Sequence, residues 1–298
     1  MNILFAMIPA FLWGTTYAVT KSTLADWPPL ALGALRALPA GLLLLALKPS
    51  WPDKTSWKTL SMVGLVNIAA FFSLIFVMAL TLPSAISGVG MVSVPVFAMG
   101  YHWLVRRQRP SLIQLMCGLG LVLLAWMLFD PKTLSLNPFG LMAMLAAIMC
   151  IIFGSTLTKV LGGRIHWWSV LTWQLIIGGL ALSAAALVHA LIEPHTYLEA
   201  LHHFSARNAI GILWIVLANT VIGYGLYVWL LQRMSVVDFT FGGIANPVAG
   251  IVCGGLLLSE FYQPQQYALM AGMIVMSLLP QVIALLRQRR PLKLAAHS

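Results

Sequence analysis

Long apolar stretches follow one another along nearly the whole chain, and only short polar breaks separate them. The breaks carry turn residues, as at Trp27-Pro28-Pro29 and Gln263-Pro264. A helix needs about 20 apolar residues to cross a bilayer core, and lipid forces backbone groups to hydrogen-bond within the helix. The pattern therefore predicts an all-α membrane protein with ten transmembrane helices, at about residues 2–23, 28–47, 57–79, 82–104, 111–129, 139–160, 167–191, 208–231, 235–257 and 265–286.

The composition excludes a water-soluble fold. Hydrophobic residues make up 60% of the chain and charged residues only 8%, whereas soluble domains carry roughly 25% charged residues. The net charge of +10 would suit a nucleic-acid partner. The Lys and Arg residues lie between apolar stretches, however, and form no basic surface interleaved with aromatic residues. We therefore expect a lipid bilayer as the partner, and no nucleic acid.

The distribution of basic residues predicts the orientation. If both termini are cytoplasmic, three basic residues fall in outer loops, namely Lys21, Lys132 and Arg207. Thirteen then fall on the inside: Lys48, Lys54, Lys58, Arg106, Arg107, Arg109, Lys159, Arg164, Arg233, Arg287, Arg289, Arg290 and Lys293. Because positive loops stay in the cytoplasm, this imbalance predicts a multi-pass membrane protein with both termini inside.

The two halves of the chain carry matched residues in the same order. At offsets of 138 to 154 residues, the matches are Gly14 with Gly154, Gly41 with Gly179, Asn67 with Asn219, Pro95 with Pro247, and Gly118 with Gly272. A unit of five spans is odd, so the second copy must enter the membrane upside down. We therefore predict two inverted five-helix repeats at 1–130 and 139–290, followed by a cytoplasmic tail at 291–298. Inverted repeats are typical of transporters.

Several motifs resemble those of a known family. They are Trp13-Gly14-Thr15-Thr16-Tyr17, Ala34-Leu35-Arg36-Ala37, Thr172-Trp173-Gln174-Leu175, and Ala245-Asn246-Pro247 with Ser259-Glu260. Together they resemble the drug/metabolite transporter superfamily, its EamA-type exporters, and most of all the PecM-like branch. The resemblance implies an exporter of a small organic metabolite or drug in the bacterial inner membrane. One departure is that the family often closes both the fourth and the ninth helix with Gly-Glu, whereas Arg107-Gln108 stands in the first half.

A mid-membrane cavity between the repeats is the expected substrate site. Aromatic side chains would form planar apolar walls, and Asn side chains would offer hydrogen-bond donors and acceptors. We predict a lining of Trp13, Tyr17, Asn67, Phe71, Asn219, Tyr224 and Asn246. Pro95 and Pro247 should break their helices and free backbone carbonyls there. The alternative for each of these residues is a role in helix packing alone.

Charged groups within or near the spans are few. Arg36 is the one charge deep within a predicted span, and we interpret it as a substrate contact or as a brace between helices. Glu260 and His102 are the other candidates for coupling or bracing. No Asp or Glu falls clearly at mid-membrane, so a buried carboxylate relay is not expected. The three cysteines and the stretch His195–His203 are not interpreted as metal sites, and no cofactor is expected.

Three functions remain open at this level. The first is a secondary transporter that exports a small organic metabolite or drug by alternating access. The second is an importer of the same fold, and the third is a membrane scaffold that transports nothing. An enzyme is disfavoured because no cluster of acid, base and nucleophile is present. The sequence does not determine whether the protein acts alone or as a homodimer.

Overall fold

A computed structural model describes residues 3–107, 109–129, 134–161, 165–231 and 242–294. The described residues form helices joined by short connections, with no strand among them. Its α-helices are α1 (Ile3–Thr23), α2 (Pro29–Leu47), α3 (Trp57–Val63), α4 (Phe71–Thr81), α5 (Ser84–Gly90), α6 (Val94–Arg106), α7 (Leu112–Leu128), α8 (Pro138–Leu161), α9 (Trp167–Ile192), α10 (Pro194–His202), α11 (Ala206–Leu213), α12 (Gly223–Leu231), α13 (Ala245–Leu258) and α14 (Pro264–Leu294).

Several long helical stretches change their winding midway. A π-helical segment, Gly64–Ala70, joins α3 to α4, and a second one, Trp214–Ile222, joins α11 to α12. Between α5 and α6 lies a 3₁₀ turn, Met91–Ser93. Such local changes in winding re-aim the side chains that follow and are frequent at functional sites.

Seven helical stretches are long and apolar enough to cross a membrane: Pro29–Leu47, Lys54–Thr81, Ser84–Val105, Pro138–Thr158, Trp167–Ile192, Ala206–Tyr227 and Pro264–Ile283. Leu112–Leu128 and Ala245–Leu258 are apolar but shorter. Thr15, Thr16 and Thr20 of α1 are buried in the bundle. The structure thus supports a helical membrane protein, while the number of ten spans stays a prediction.

Hydrogen bonds between distant residues define the two ends of the bundle. At the end that we name the Trp57 end, the indole of Trp168 donates to Lys48 O (3.0 Å) and that of Trp173 to Ser50 O (2.8 Å). At the opposite end, named the Lys21 end, Lys21 Nζ lies 3.4 Å from Leu82 O. There too, Asn208 Nδ2 donates to Thr23 O (2.7 Å). The helices therefore run between two defined faces.

Helices α2 and α9 pack closely through paired glycines. A Cβ atom at Gly41 would lie 2.9 Å from the backbone nitrogen of Ile176, and one at Gly179 would lie 2.7 Å from that of Leu38. Since any side chain there would collide with backbone, both positions require glycine for this approach. The contacts are reciprocal, because Gly41 and Leu38 lie 138 residues before Gly179 and Ile176.

Candidate functional site

A cavity of about 510 Å³ lies in the bundle and is lined by helices from both halves of the chain. Its size is in the usual range for a site that encloses a small organic molecule. Six of the side chains predicted from the sequence line it, namely Trp13, Tyr17, Asn67, Phe71, Tyr224 and Asn246. The lining of the cavity is mainly apolar, with a few polar groups placed among aromatic rings.

Three aromatic rings form one wall. The Trp13 ring centroid lies 5.0 Å from that of Tyr224 and 5.2 Å from that of Tyr227, both in tilted arrangements. The Trp13 indole N–H donates to the backbone oxygen of Asn219 at 3.0 Å. This hydrogen bond fixes the indole and leaves its apolar face toward the neighbouring rings. The wall can therefore accept a flat apolar group without reorganising.

Asn219 does not line the cavity among the described residues. It is fully buried, and its Nδ2 donates to Thr16 Oγ1 at 2.6 Å. Thr15 Oγ1 also lies 3.5 Å from its Oδ1. The sequence predicted Asn219 in the cavity lining, but the structure places it behind the aromatic wall. There it joins α1 to the second π-helical segment. Asn219 contacts two lining residues, Trp13 through its backbone oxygen and Thr16 through its side chain.

The other two asparagines face the cavity and each keep one unused acceptor. Asn67 Nδ2 donates to Gln174 Oε1 at 3.2 Å. Within the described part of the chain, neither Asn67 Oδ1 nor Asn246 Oδ1 has a hydrogen-bond partner. A buried acceptor without a partner is costly. Both oxygens are covered by neighbouring atoms in this conformation, so a ligand donor would reach them only after a local rearrangement.

Arg36 is a buried cation in the cavity wall, with 3% of its surface exposed. Its Nε donates to Thr220 Oγ1 at 3.0 Å, and its Cζ lies 4.1 Å above the centroid of the Phe72 ring. The described residues that line the cavity include no Asp or Glu. A ring face and a hydroxyl therefore hold this charge, rather than an opposite charge.

The two predicted helix breaks occur just before the prolines. In the first half, the 3₁₀ turn Met91–Ser93 precedes Pro95, which does not line the cavity in the described structure. In the second half, α13 begins at Ala245, and Pro247 lines the cavity. Met91 and Gly243, which are 152 residues apart, both line the cavity. Residues of the turns therefore line the cavity as well as Pro247.

Glu260 lies away from the cavity, at the Lys21 end. Its Oε2 accepts from the backbone N–H of Ser84 at 2.7 Å, and its Oε1 lies 3.6 Å from Lys21 Nζ. Ser259, in the left-handed region at φ 55°, turns the chain so that Glu260 reaches back. Burial, and after it the charge of Glu260, raise the pKa of the Tyr262 hydroxyl far above its usual value, which keeps it neutral. The side chain of His102 lies outside the described residues.

Other polar lining residues were not among those predicted from the sequence to bind substrate. Thr16, Ser155, Thr158 and Gln174 all line the cavity. Ser155 and Thr158 lie one turn apart on α8 and bond to carbonyls of their own helix. Their i, i+3 spacing within an apolar stretch is the signal that could have identified them. The described residues contain no group of three metal-ligating side chains.

Comparisons with known proteins agree with this architecture. The model of the EamA-like transporter family matches residues 1–129 and 138–280. Protein PecM of Dickeya dadantii is 30% identical over 97% of this chain and 95% of its own length. The uncharacterised inner membrane transporter YedA of Escherichia coli K12 is 27% identical over 84% of this chain and 80% of its own length. A probable amino-acid metabolite efflux pump of Salmonella typhimurium is 23% identical over 91% of this chain and 92% of its own length. One crystal structure, at 17% identity and a TM-score of 0.62 over 93% and 97% of the two chains, shares the fold.

Proposed function

The chain belongs to the EamA-like transporter family, and we propose that it exports a small organic metabolite or drug across the bacterial inner membrane by alternating access. The family match confirms the resemblance read from the sequence motifs. The observation that carries the proposal is the cavity between the two halves, which approaches one end of the bundle and stops short of the other. A scaffold has no need of such a cavity.

Ten spans in two inverted repeats are part of this proposal. Three features support it, because each has a counterpart in the other half at the offsets between the halves or within one residue of them. Helices α2 and α9 exchange equivalent glycine contacts. Arg36 bonds to Thr220, and Gln174, 138 residues after Arg36, bonds to Asn67. Asn67 and Asn219, which are 152 residues apart, each lie in a π-helical segment.

The extent of the cavity supports an alternating mechanism. Toward the Trp57 end the lining continues to Leu161, Ile165 and Trp167. Toward the Lys21 end it stops at Tyr17 on α1 and at Gly88 on α5, about one helical turn before the contacts of Lys21 and Ser84 with Glu260. These contacts tie α1, α5 and α13 together. Transport would require them to break while the Trp57 end closes.

The direction of transport follows from orientation and from the relatives. The positive-inside rule places the Trp57 end in the cytoplasm, so the cavity described here extends toward the cytoplasm and could load from that side. A relative over nearly the whole chain is named as an efflux pump. Both observations support export over import, and the importer remains the second candidate.

Flux through purified protein tests the proposal. The full chain in proteoliposomes should move at least one compound from a panel of small aromatic metabolites, followed by mass spectrometry, faster than protein-free vesicles. Trp13→Ala should lower that flux several-fold because it removes the fixed ring of the wall. The control is Trp126→Ala, since Trp126 is 81% exposed on the outer surface of the bundle. A protein that moves no compound, or equal flux in both variants, would contradict the proposal.

A further inference from the structure

Arg36 gives the cavity a positive charge that no described residue neutralises. Among the described residues, its only hydrogen bond is the one from Nε to Thr220, and no described ion pair includes it. We propose that the cavity recognises an organic carboxylate, with the acid group against Arg36 and a flat apolar body against the aromatic wall. This inference rests on the proposed function and names the substrate class of the same site.

Bracing alone does not require a charge at this place. Gln174, at the matching place in the second half, bonds to Asn67 with a neutral amide. A neutral side chain can therefore join the facing helices there. A charge within the membrane raises the free energy of insertion by a few kcal/mol relative to a neutral group. The arginine consequently supplies something beyond bracing.

The geometry leaves the terminal nitrogens of the guanidinium for a ligand. Thr220 takes the Nε edge, and Phe72 covers one face with its ring centroid 4.1 Å from Cζ. The two terminal amino groups form a planar fork that matches the two oxygens of a carboxylate. The small exposed fraction of Arg36 lies in the cavity lining. A carboxylate could therefore bind there through two parallel hydrogen bonds.

The aromatic wall begins beside this charge. The Phe72 ring beneath the guanidinium lies 6.0 Å from the ring of Tyr224, which in turn lies 5.0 Å from Trp13. A ligand whose acid group meets Arg36 would therefore place its body against Tyr224 and Trp13. The described lining contains no carboxylate to balance a ligand cation. An organic amine without an acid group should consequently bind worst.

Matched ligands that differ only in charge test this inference. The detergent-purified full chain is titrated by calorimetry with 2-naphthoate, 2-naphthamide and 2-naphthylmethylamine, and with the benzoate, benzamide and benzylamine set. In at least one set the carboxylate should bind about ten times more tightly than the amide, because charge-assisted hydrogen bonds are stronger than neutral ones. Arg36→Gln should abolish this preference and leave amide binding unchanged. Arg36→Lys should keep part of it.

Controls separate this inference from folding and from transport. Arg207→Gln removes an exposed arginine at the Lys21 end and should leave the preference unchanged. Thermal melting should show that Arg36→Gln folds, as expected from the neutral Gln174 in the other half. Equal binding of carboxylate and amide, or no binding in either set, overturns the inference. Carboxylate preference without flux would instead contradict the proposed transport and leave the inference standing.

Discussion

Removing the Glu260 carboxylate would open the Lys21 end. Glu260→Ala removes the acceptor for Ser84 N–H at 2.7 Å and the partner of Lys21 at 3.6 Å. The charge-assisted hydrogen bond contributes about 1.5–3 kcal/mol. The ion pair contributes only about 0.2–1 kcal/mol, since the Lys21 side chain is 33% exposed. If both contacts break on opening, the substitution destabilises the closed state relative to the open state by about 2 kcal/mol. The ratio of open to closed protein then rises roughly 30-fold.

Thiol labelling measures this change. Ser155→Cys, in a chain whose three native cysteines are replaced by alanine, places a reporter in the cavity lining. A membrane-impermeant maleimide added at the periplasmic face of spheroplasts should label the reporter roughly 30 times faster with Glu260→Ala. Glu260→Gln keeps an acceptor for the Ser84 N–H, so its increase should be smaller.

A second acidic residue at the same end supplies the control. Glu199→Gln removes an exposed carboxylate of α10 and should not change the labelling rate. The reasoning is refuted if Glu260→Ala folds, shows a lower melting temperature and yet labels at the wild-type rate. In that case Glu260 stabilises the start of α5 and takes no part in closing the cavity.

Two pairs of glycine substitutions test close contacts elsewhere. Gly254→Ala would place a Cβ 2.7 Å from Glu260 Oε2 and should raise the same labelling rate, whereas Gly255→Ala, with no atom nearer than 3.9 Å, should not. Gly14→Ala would drive a Cβ into a backbone oxygen of α13, and overpacking of this kind costs about 1–3 kcal/mol. It should lower the melting temperature by several degrees, whereas Gly100→Ala, with nothing within 4 Å, should maintain or raise it. Equal behaviour within either pair would contradict the contact geometry.

The aromatic lining could be predicted from sequence because position along a span is readable from the hydrophobic pattern. Trp13, Tyr17 and Phe71 fall near the middle of their apolar stretches, and matched residues in the two halves indicate an interface between repeats. The depth of a residue in the membrane and its proximity to the interface between repeats can therefore both be predicted from the sequence. All three residues line the cavity.

Rotation of a helix about its axis could not be predicted. Asn219 lies in a π-helical segment, where backbone hydrogen bonds run to the fifth residue back. A regular 3.6-residue period assigns the wrong face to residues in such a segment. Asn219 therefore points to α1 while Tyr224, further along, points into the cavity.

The hydrogen-bond partner of Glu260 could not be predicted from the sequence either. Ser84 N–H lies 176 residues away, and no periodicity links a carboxylate to one backbone amide at that distance. The left-handed turn at Ser259, a residue type that rarely adopts positive φ, gave no signal either.

The charge of Arg36, for which the described part of the chain offers no ion-pair partner, bears on the source of energy for transport. A carrier whose cargo is an anion can use the electrical potential of the cell, which is negative inside, because that potential repels the anion outward. At 100 mV this is worth about 2.3 kcal/mol per elementary charge, enough to sustain a concentration ratio of about fiftyfold. Export of a carboxylate would then need neither a proton relay nor a bound sodium ion, which accords with a cavity whose described lining contains a cation and no acid.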